Sequence, residues 1–306
     1  MNDFKLIMIG AMYENGGNTT HRFLDGHPEL YVYPYESQIG TRLVHDNLTS
    51  TFPQKYRWPV FDLSATPYAD YKAIIDEEFK VRTRTPHVSK FRNTPFDCSD
   101  DERCELYQGI INKTGRSRQN NVAAFYQSTF QAWKDYNKSG KEKFYVGYSP
   151  IITVDAAKIL DEMPAAHFLH VIRNPWSAYA DTKKRPVPMS MDSYCLCWCL
   201  NQHFAMQLER LYPDRFHIVR TEDVMADSVK TLGGVLEKIG LSSSSSLGTT
   251  TFNGNELEEI VPWGTIRKAS TESNKATAME LSKEEQEAVR NRTWQYLKHF
   301  EYEAFL

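Results

Sequence analysis

The stretch that decides the fold is residues 4–26, FKLIMIGAMYENGGNTTHRFLDG. Its apolar start, residues 4–9, is typical of a buried strand. The loop AMYENGGN follows, and TTHRFLDG then predicts a helix with Asn18 or Thr19 as its cap and Gly26 at its end. The chain therefore opens with a strand, a glycine-containing loop and a helix.

This arrangement suits an anion. A parallel strand that enters a helix through such a loop presents backbone N–H groups and the positive helix end to a phosphate. The loop and the start of the predicted helix contain Asn15, Gly16, Gly17, Asn18, Thr19 and Thr20. A plain tight turn at the two glycines is the alternative. No Lys-Ser/Thr pair follows them, so the loop is not a Walker A motif.

The rest of the chain continues the alternation of strands and helices. Strands are predicted at 31–35, 144–149, 167–172 and 216–220, and helices at 127–138, 154–163, 176–183, 191–212, 226–240 and 282–300. The last helix carries a capping box, Ser282 with Glu285. Alternation of this kind indicates an α/β fold with a parallel sheet and helices on both faces.

The 306 residues, 41% hydrophobic and 25% charged, fit one domain over 1–306. Residues 47–121 lack a clear pattern and contain the basic stretch 80–93, so we interpret them as an insertion over the active site. Residues 241–256 are low in complexity and are expected to be flexible. There is no internal repeat.

Bulk composition excludes several classes of protein. A net charge of −3 argues against a nucleic-acid-coating protein. No apolar run is long enough to span a membrane, and the opening residues do not form a signal peptide, so we expect a cytoplasmic protein. The five cysteines are odd in number, and their spacing in CLCWC is too short for a zinc site, which favours reduced, mostly buried thiols.

Two further side chains end predicted strands. Arg173 follows HFLHVI and would place a guanidinium at the carboxyl edge of the sheet, where its fork suits a phosphate. A surface arginine at a strand end is the alternative. Glu36 follows YVYPY and could accept a proton from a hydroxyl or amine, although a solvated turn residue is equally compatible with its position.

These pieces occur together in the order of one family. GGNTTHRFLDGHPELYVYPYES (16–37) resembles the 5′-phosphosulfate loop, helix and next strand of sulfotransferases that use 3′-phosphoadenylyl sulfate (PAPS), especially the bacterial and tyrosylprotein types. HFLHVIRNPWSAYAD (167–181) resembles their 3′-phosphate segment, and 216–241 their later strand and helix. VPWGTIRKAS (261–270) resembles the basic turn that closes over the nucleotide.

The resemblance implies a P-loop-like three-layer fold and a set of roles. The backbone around Asn15–Thr19 would hold the 5′-phosphosulfate, and Arg173 the 3′-phosphate, assisted by Arg267 or Lys268. Glu36 matches the glutamate that serves as base in the tyrosylprotein type. The implied donor is PAPS, with adenosine 3′,5′-bisphosphate as product and no metal, because positioning and charge stabilisation perform the transfer.

Three residues depart from the family pattern. Glu14 stands where the family has a loop Arg or Lys, Asp181 where it commonly has the 3′-phosphate serine, and Tyr148 where many bacterial members have a lysine. A carboxylate near an anion is repelled by it, so another cation must compensate. The candidates are Arg22, Lys90, Arg92, Lys183, Lys184 and Arg185. Alternatively, Glu14 and Asp181 face a cationic acceptor that carries a guanidinium or an amine.

Three functions follow from this pattern. The first is sulfuryl transfer from PAPS to a hydroxyl or amine of a small-molecule acceptor, with Glu36 and Glu14 as the catalytic candidates. The second is an inactive, nucleotide-binding relative, because fold alone does not guarantee chemistry. The third, a P-loop kinase or NTPase, is disfavoured because the loop lacks the required lysine. The sequence does not identify the acceptor.

Overall fold

The computed structural model describes residues 4–257, 259–260, 264–265 and 270–306. Its main strands are β1 (Leu6–Ala11), β2 (Leu30–Val32), β3 (Phe144–Pro150), β4 (His167–Ile172) and β5 (Phe216–Arg220). The helices are α1 (Gly17–Leu24), α2 (Pro67–Ala73), α3 (Glu77–Arg84), α4 (Asp100–Thr114), α5 (Arg118–Ala132), α6 (Ala156–Glu162), α7 (Pro175–Lys183), α8 (Met191–Leu211), α9 (Thr221–Ala226), α10 (Ser228–Lys238), α11 (Thr271–Ala278) and α12 (Lys283–Leu297). Short 3₁₀ turns occupy Gln54–Tyr56, Pro86–Val88, Ile152–Asp155 and Ser245–Gly248. Two small hairpins are formed by pairs of two-residue strands: Thr251–Phe252 pairs with Asn255–Glu256, and Glu259–Ile260 pairs with Gly264–Thr265.

The sheet has the order β2-β3-β1-β4-β5, and all four pairings are parallel. This confirms the predicted central parallel sheet. Strand β1 lies in the middle, with Ile9 opposite Tyr148 of β3. The carboxyl ends of β1, β3 and β4 therefore meet at one edge, which is where open α/β sheets bind ligands.

Helices cover both faces of the sheet, as predicted. Alternate residues of a strand point to opposite faces. Ile7 and Ile9 of β1 belong to a buried cluster with Leu24 of α1 and Leu236 of α10. Met8 belongs to another cluster, which includes Phe125 and Tyr126 of α5 and Ile159 of α6. The sheet and the helices packed on its two apolar faces form the three layers.

The segment 47–121 is largely helical and contains a buried ion pair. Arg103 of α4 donates from Nη2 to Asp76 at 2.7 Å, and both side chains are 1% exposed. The same guanidinium donates to the hydroxyl of Tyr71 and lies 3.4 Å from the ring centre of Phe79. Asp76 is the residue before α3, so this pair fixes where α3 begins.

Four local expectations can be compared with the structure. The capping box of Ser282 and Glu285 is confirmed. Strand β2 ends at Val32 instead of residue 35, and the helix predicted at 127–138 instead spans Arg118–Ala132. The expectation that 241–256 is loosely held is wrong, because Leu247 and Phe252 are buried and Thr251 donates to Asp25 at 2.7 Å.

Two whole-chain expectations concern the membrane and the thiols. Among the described residues, no helix combines the length and the apolar character needed to cross a membrane. All five cysteines are free thiols, and Cys104, Cys195 and Cys197 are buried, which confirms the interpretation of the cysteines as mostly buried thiols.

Candidate functional site

The loop after β1 leaves the start of α1 without a side-chain cap. Gly16 precedes the helix with φ 82° and makes no side-chain capping bond, so the predicted cap at Asn18 or Thr19 is wrong. A Cβ atom at Gly16 would lie 2.4 Å from Oγ1 of Thr221, which excludes a larger residue there. The first N–H groups of a helix have no partner within the helix. An uncapped start keeps them available to an anion.

Asn15 fixes this loop through its side chain. Its Oδ1 accepts from the backbone N–H of Arg173 at 3.0 Å, and its Nδ2 donates to the carbonyl of Tyr13 at 2.8 Å and to the hydroxyl of Tyr194 at 3.1 Å. The hydroxyl of Thr221 donates to the Asn15 carbonyl at 2.6 Å. The loop is thus attached to the ends of β4 and β5.

A cavity of about 520 Å³ opens beside the loop, at the carboxyl edge of the sheet. It brings together most of the residues that the sequence singled out. Its predicted members are Glu14, Gly16, Gly17, Asn18, Thr19, Glu36 and Arg173. The sequence also named Lys90, Tyr148 and Arg185 as residues of interest, and all three line this cavity too.

Tyr148 packs directly against the helix start. A Cβ atom at Gly17 would lie 2.4 Å from Cε2 of Tyr148, so the second glycine is needed for this contact. Burial raises the pKa of Tyr148 well above its usual value, and the neighbouring carboxylate Glu36 adds to the effect. The side chain is therefore neutral at physiological pH and supplies no positive charge in place of the family's lysine.

Arg173 reaches the cavity with its guanidinium already hydrogen-bonded. Nη1 donates to the Glu14 carbonyl at 3.0 Å and to Asp181 at 2.8 Å, while Nε donates to Asn274 at 2.7 Å. Its side chain is 14% exposed. Arg173 thus lies where a phosphate could meet it, with Asp181 as its present counter-ion.

The buried carboxylate of Glu222 is connected to Arg173 through Asn274. Glu222 is 6% exposed and accepts from the N–H and the side-chain amide of Asn174, from the amide of Asn274 and from the hydroxyl of Tyr302. Because Asn274 bonds both Glu222 and Arg173, the network sets the direction of the guanidinium. Nothing in the sequence alone pointed to Asn274 or Glu222.

Glu36 faces the cavity as one member of an ionic triad with Lys90 and Glu78. Lys90 Nζ lies 3.3 Å from Glu36 and in close contact with Glu78, and the Glu36 N–H donates to Glu78 at 3.1 Å. Burial, reinforced by the charge of Glu36, raises the pKa of Glu78 to about 7. Although burial opposes it, the two carboxylates hold the pKa of Lys90 above its usual value.

A second cavity of about 310 Å³ adjoins the first, because Tyr56 and Lys90 line both. Its other walls include Glu78 and the apolar side chains Val81 and Val88. Tyr13, whose ring centre lies 6.1 Å from that of Tyr56, is a cavity residue that the sequence did not single out. Tyr13 adjoins Glu14 in the glycine-containing loop, which was the available signal.

Glu14 lies in the cavity in an unusual backbone conformation. Its φ of 57° belongs to the left-handed region that non-glycine residues avoid. Its Oε1 is 3.8 Å from Nε of Arg185, whose guanidinium lies 4.5 Å from the ring centre of Tyr13. Burial raises the pKa of Glu14, and Arg185 opposes this.

The other proposed cations lie elsewhere. Arg22 is 1% exposed, packs between the rings of Phe91 and Phe252 and is not among the cavity residues. Arg92 donates to the His87 carbonyl. Lys183 pairs with Glu285, and Lys184 with Asp181 and Glu280. Lys90 and Arg185 are thus the compensating candidates that reach the cavity.

Three other predicted ligands, Asn15, Thr20 and Asp181, are not among the residues that line the cavity. Asn15 and Thr20 are each 1% exposed behind the loop, and Asp181 is turned toward Arg173 and Lys184. Arg267 and Lys268 lie outside the described residues. The described residues hold no group of three or more His, Cys, Asp or Glu that could bind a metal ion.

Residues 7–245 match the profile of the Sulfotransferase family. This chain is a member of the sulfotransferase family. The match includes the loop after β1, Glu36 and Arg173, which are the residues brought together at the cavity. No curated protein matches the sequence.

Solved structures show that the fold is that of sulfotransferases. The sulfotransferase domain of the Synechococcus PCC 7002 olefin synthase is 15% identical, with a TM-score of 0.53, covering 97% of this chain and 94% of that one. The sulfotransferase domain from the curacin biosynthetic pathway is 13% identical, with a TM-score of 0.50, covering 98% of each chain. At these identities the likeness concerns the fold alone.

Proposed function

We propose that this sulfotransferase transfers a sulfuryl group from PAPS to a hydroxyl or amine of a small-molecule acceptor. The observation that carries the proposal is the 520 Å³ cavity, which joins the uncapped start of α1, Arg173 and Glu36 in one space. Sulfuryl transfer from a nucleotide to a nucleophile requires groups that bind the anionic nucleotide and a carboxylate near the nucleophile, and this cavity has both.

Each wall has a role in this proposal. The N–H groups at the start of α1 bind the 5′-phosphosulfate, and Arg173 binds the 3′-phosphate with the help of Arg267 or Lys268. Lys90 and Arg185, which with Arg173 are the described cations that line the cavity, offset the charge of Glu14 and stabilise the charge that develops on the departing phosphate.

The reaction needs one base and an in-line approach. The acceptor oxygen or nitrogen attacks sulfur, the bond from sulfur to the bridging oxygen breaks, and its electron pair remains on the nucleotide phosphate. Glu36 takes the proton of the nucleophile. Glu14, the second carboxylate of the cavity, lies on the loop itself and orients the groups around the sulfuryl moiety through Arg185.

Calorimetric titration with adenosine 3′,5′-bisphosphate tests the donor site, with ADP and ATP as comparisons. We expect micromolar binding that depends on the 3′-phosphate. Arg173→Ala should weaken this binding by about 1.5–3 kcal/mol, the scale of a charge-assisted hydrogen bond. A preference for ATP, or an unchanged affinity in the variant, would contradict the assignment.

Asp181→Ser should tighten binding of the same nucleotide by about 10- to 100-fold. Asp181 accepts a hydrogen bond from Nη1 of Arg173 and would repel a 3′-phosphate. Its removal therefore frees a charge-assisted donor for the nucleotide. Glu280→Ser is the matched control, because Glu280 pairs with the same Lys184 without touching Arg173. Weaker binding in Asp181→Ser would show instead that the carboxylate itself contacts the nucleotide.

A further inference from the structure

The charged side chains where the two cavities meet bear on the identity of the acceptor. Glu36 and Glu78 both contact the one ammonium of Lys90. Among the described side chains, Lys90 is the cation within ion-pair distance of either carboxylate, so these three groups carry one excess negative charge when both carboxylates are ionised. Both carboxylates are largely buried, with side-chain exposures of 13% and 15%, where an unbalanced charge is costly.

The two carboxylates retain room for another donor. Each has about four acceptor sites. The described groups that donate to these two carboxylates are Lys90, the N–H of Glu36 and, at 3.5 Å, the amide of Gln38. A ligand ammonium can therefore bind beside Lys90 without displacing it.

The aromatic wall favours the same kind of ligand. Tyr56 lines both cavities, and its ring already accepts an ammonium, since Lys55 Nζ lies 5.1 Å from its centre. Burial raises the pKa of Tyr56, so the ring is neutral and its face remains attractive to a cation. Val81 and Val88 add an apolar surface for the body of a small molecule.

We propose that the two adjoining cavities select a small amino alcohol as the acceptor, with Glu78 of the second cavity binding its ammonium while its hydroxyl faces Glu36 of the first. This assignment rests on the proposed function. Because one Nζ contacts both carboxylates, their nearest oxygens are at most about 6 Å apart, the span of two ion-pair contacts. That spacing fits an amine and a hydroxyl on adjacent carbons.

The acceptor oxygen bonds to sulfur as the bond from sulfur to the phosphate oxygen breaks, and that electron pair stays on the phosphate. The hydroxyl proton moves to Glu36, while the ammonium stays protonated and bound to Glu78. Glu78 is thus a specificity-determining residue, whereas Glu36 is the catalytic base.

Three compounds of one skeleton test the assignment: 2-amino-1-phenylethanol, 1-phenyl-1,2-ethanediol and mandelate, which are cationic, neutral and anionic. Their affinities are measured by ligand-observed NMR titration of the full chain without a donor, and again with adenosine 3′,5′-bisphosphate. We expect the amine to bind at least about tenfold more tightly than the diol, and mandelate most weakly. Glu78→Gln should reduce the preference for the amine to about threefold or less, and Glu237→Gln, on the exposed side of α10, should retain it.

Equal affinities in the wild-type chain, a preference for mandelate, or no binding of the three compounds would overturn the proposal. So would a preference that Glu78→Gln leaves intact. Because the first titration contains no nucleotide, its result does not depend on the donor site. Amine selectivity without nucleotide binding would count against the PAPS assignment alone, and the reverse result would count against the acceptor assignment alone.

Discussion

Glu36→Gln should lower turnover by about 10²- to 10⁴-fold while leaving the affinity for adenosine 3′,5′-bisphosphate unchanged. The amide has the same shape and can still contact Gln38, but it cannot take the proton of the acceptor. The measurement is steady-state sulfation of an accepted substrate, together with calorimetry of the nucleotide. A loss of turnover without a loss of nucleotide affinity would identify Glu36 as a base and not as a nucleotide-binding residue.

Glu105→Gln is the matched control for this variant. Glu105 lies on the exposed side of α4 and is not among the residues that line either cavity. Its turnover should stay close to that of the wild type. If Glu36→Gln also keeps near-normal turnover, Glu36 is not the base and another cavity group must accept the proton.

Arg103→Met should destabilise the fold by roughly 3–5 kcal/mol, because it leaves a buried carboxylate without its cation. Asp76 would retain the hydroxyl of Tyr33 as a donor, at 3.0 Å, and lose the guanidinium. Burial already raises the pKa of Asp76, and Arg103 opposes that rise. The midpoint of urea unfolding measures the loss.

Arg84→Met provides the comparison on the neighbouring helix. Arg84 pairs with Asp100 at 3.1 Å, but its side chain is 57% exposed, so the pair contributes at most about 1 kcal/mol. If Arg103→Met lowers the free energy of unfolding as little as Arg84→Met does, Asp76 must find another partner or become neutral without strain.

The sequence predicted the layers and the edge of the sheet that carries the site. Apolar runs such as 4–9 identify buried strands, and their order along the chain determines which loops meet at the carboxyl edge. Arg173 could be found because it directly follows β4, and Glu36 because it directly follows the strand predicted at 31–35, although β2 itself ends at Val32. The family match then confirmed the sulfotransferase assignment that the loop after β1 had suggested.

The ionic partners were not predictable in the same way. Lys90 lies in the segment 47–121, whose helices have no simple relation to the strand order, so its approach to Glu36 depends on tertiary packing. Asp181 was expected near the 3′-phosphate, but only the folded chain shows that it pairs with Arg173. The helix cap was also misjudged, because the turn at Gly16 is shaped by contact with Thr221, 205 residues further along the chain.

The attachment of Asn15 to three backbone or side-chain partners has a thermodynamic consequence. Ordering a loop of this kind when a ligand arrives reduces affinity, because the chain loses conformational entropy in the binding step. Here that entropy is lost when the protein folds, since the contacts with Tyr13, Tyr194 and Arg173 form within the chain itself. A nucleotide bound as proposed would therefore meet a loop that is already held in place, and its association would resemble docking rather than induced fit.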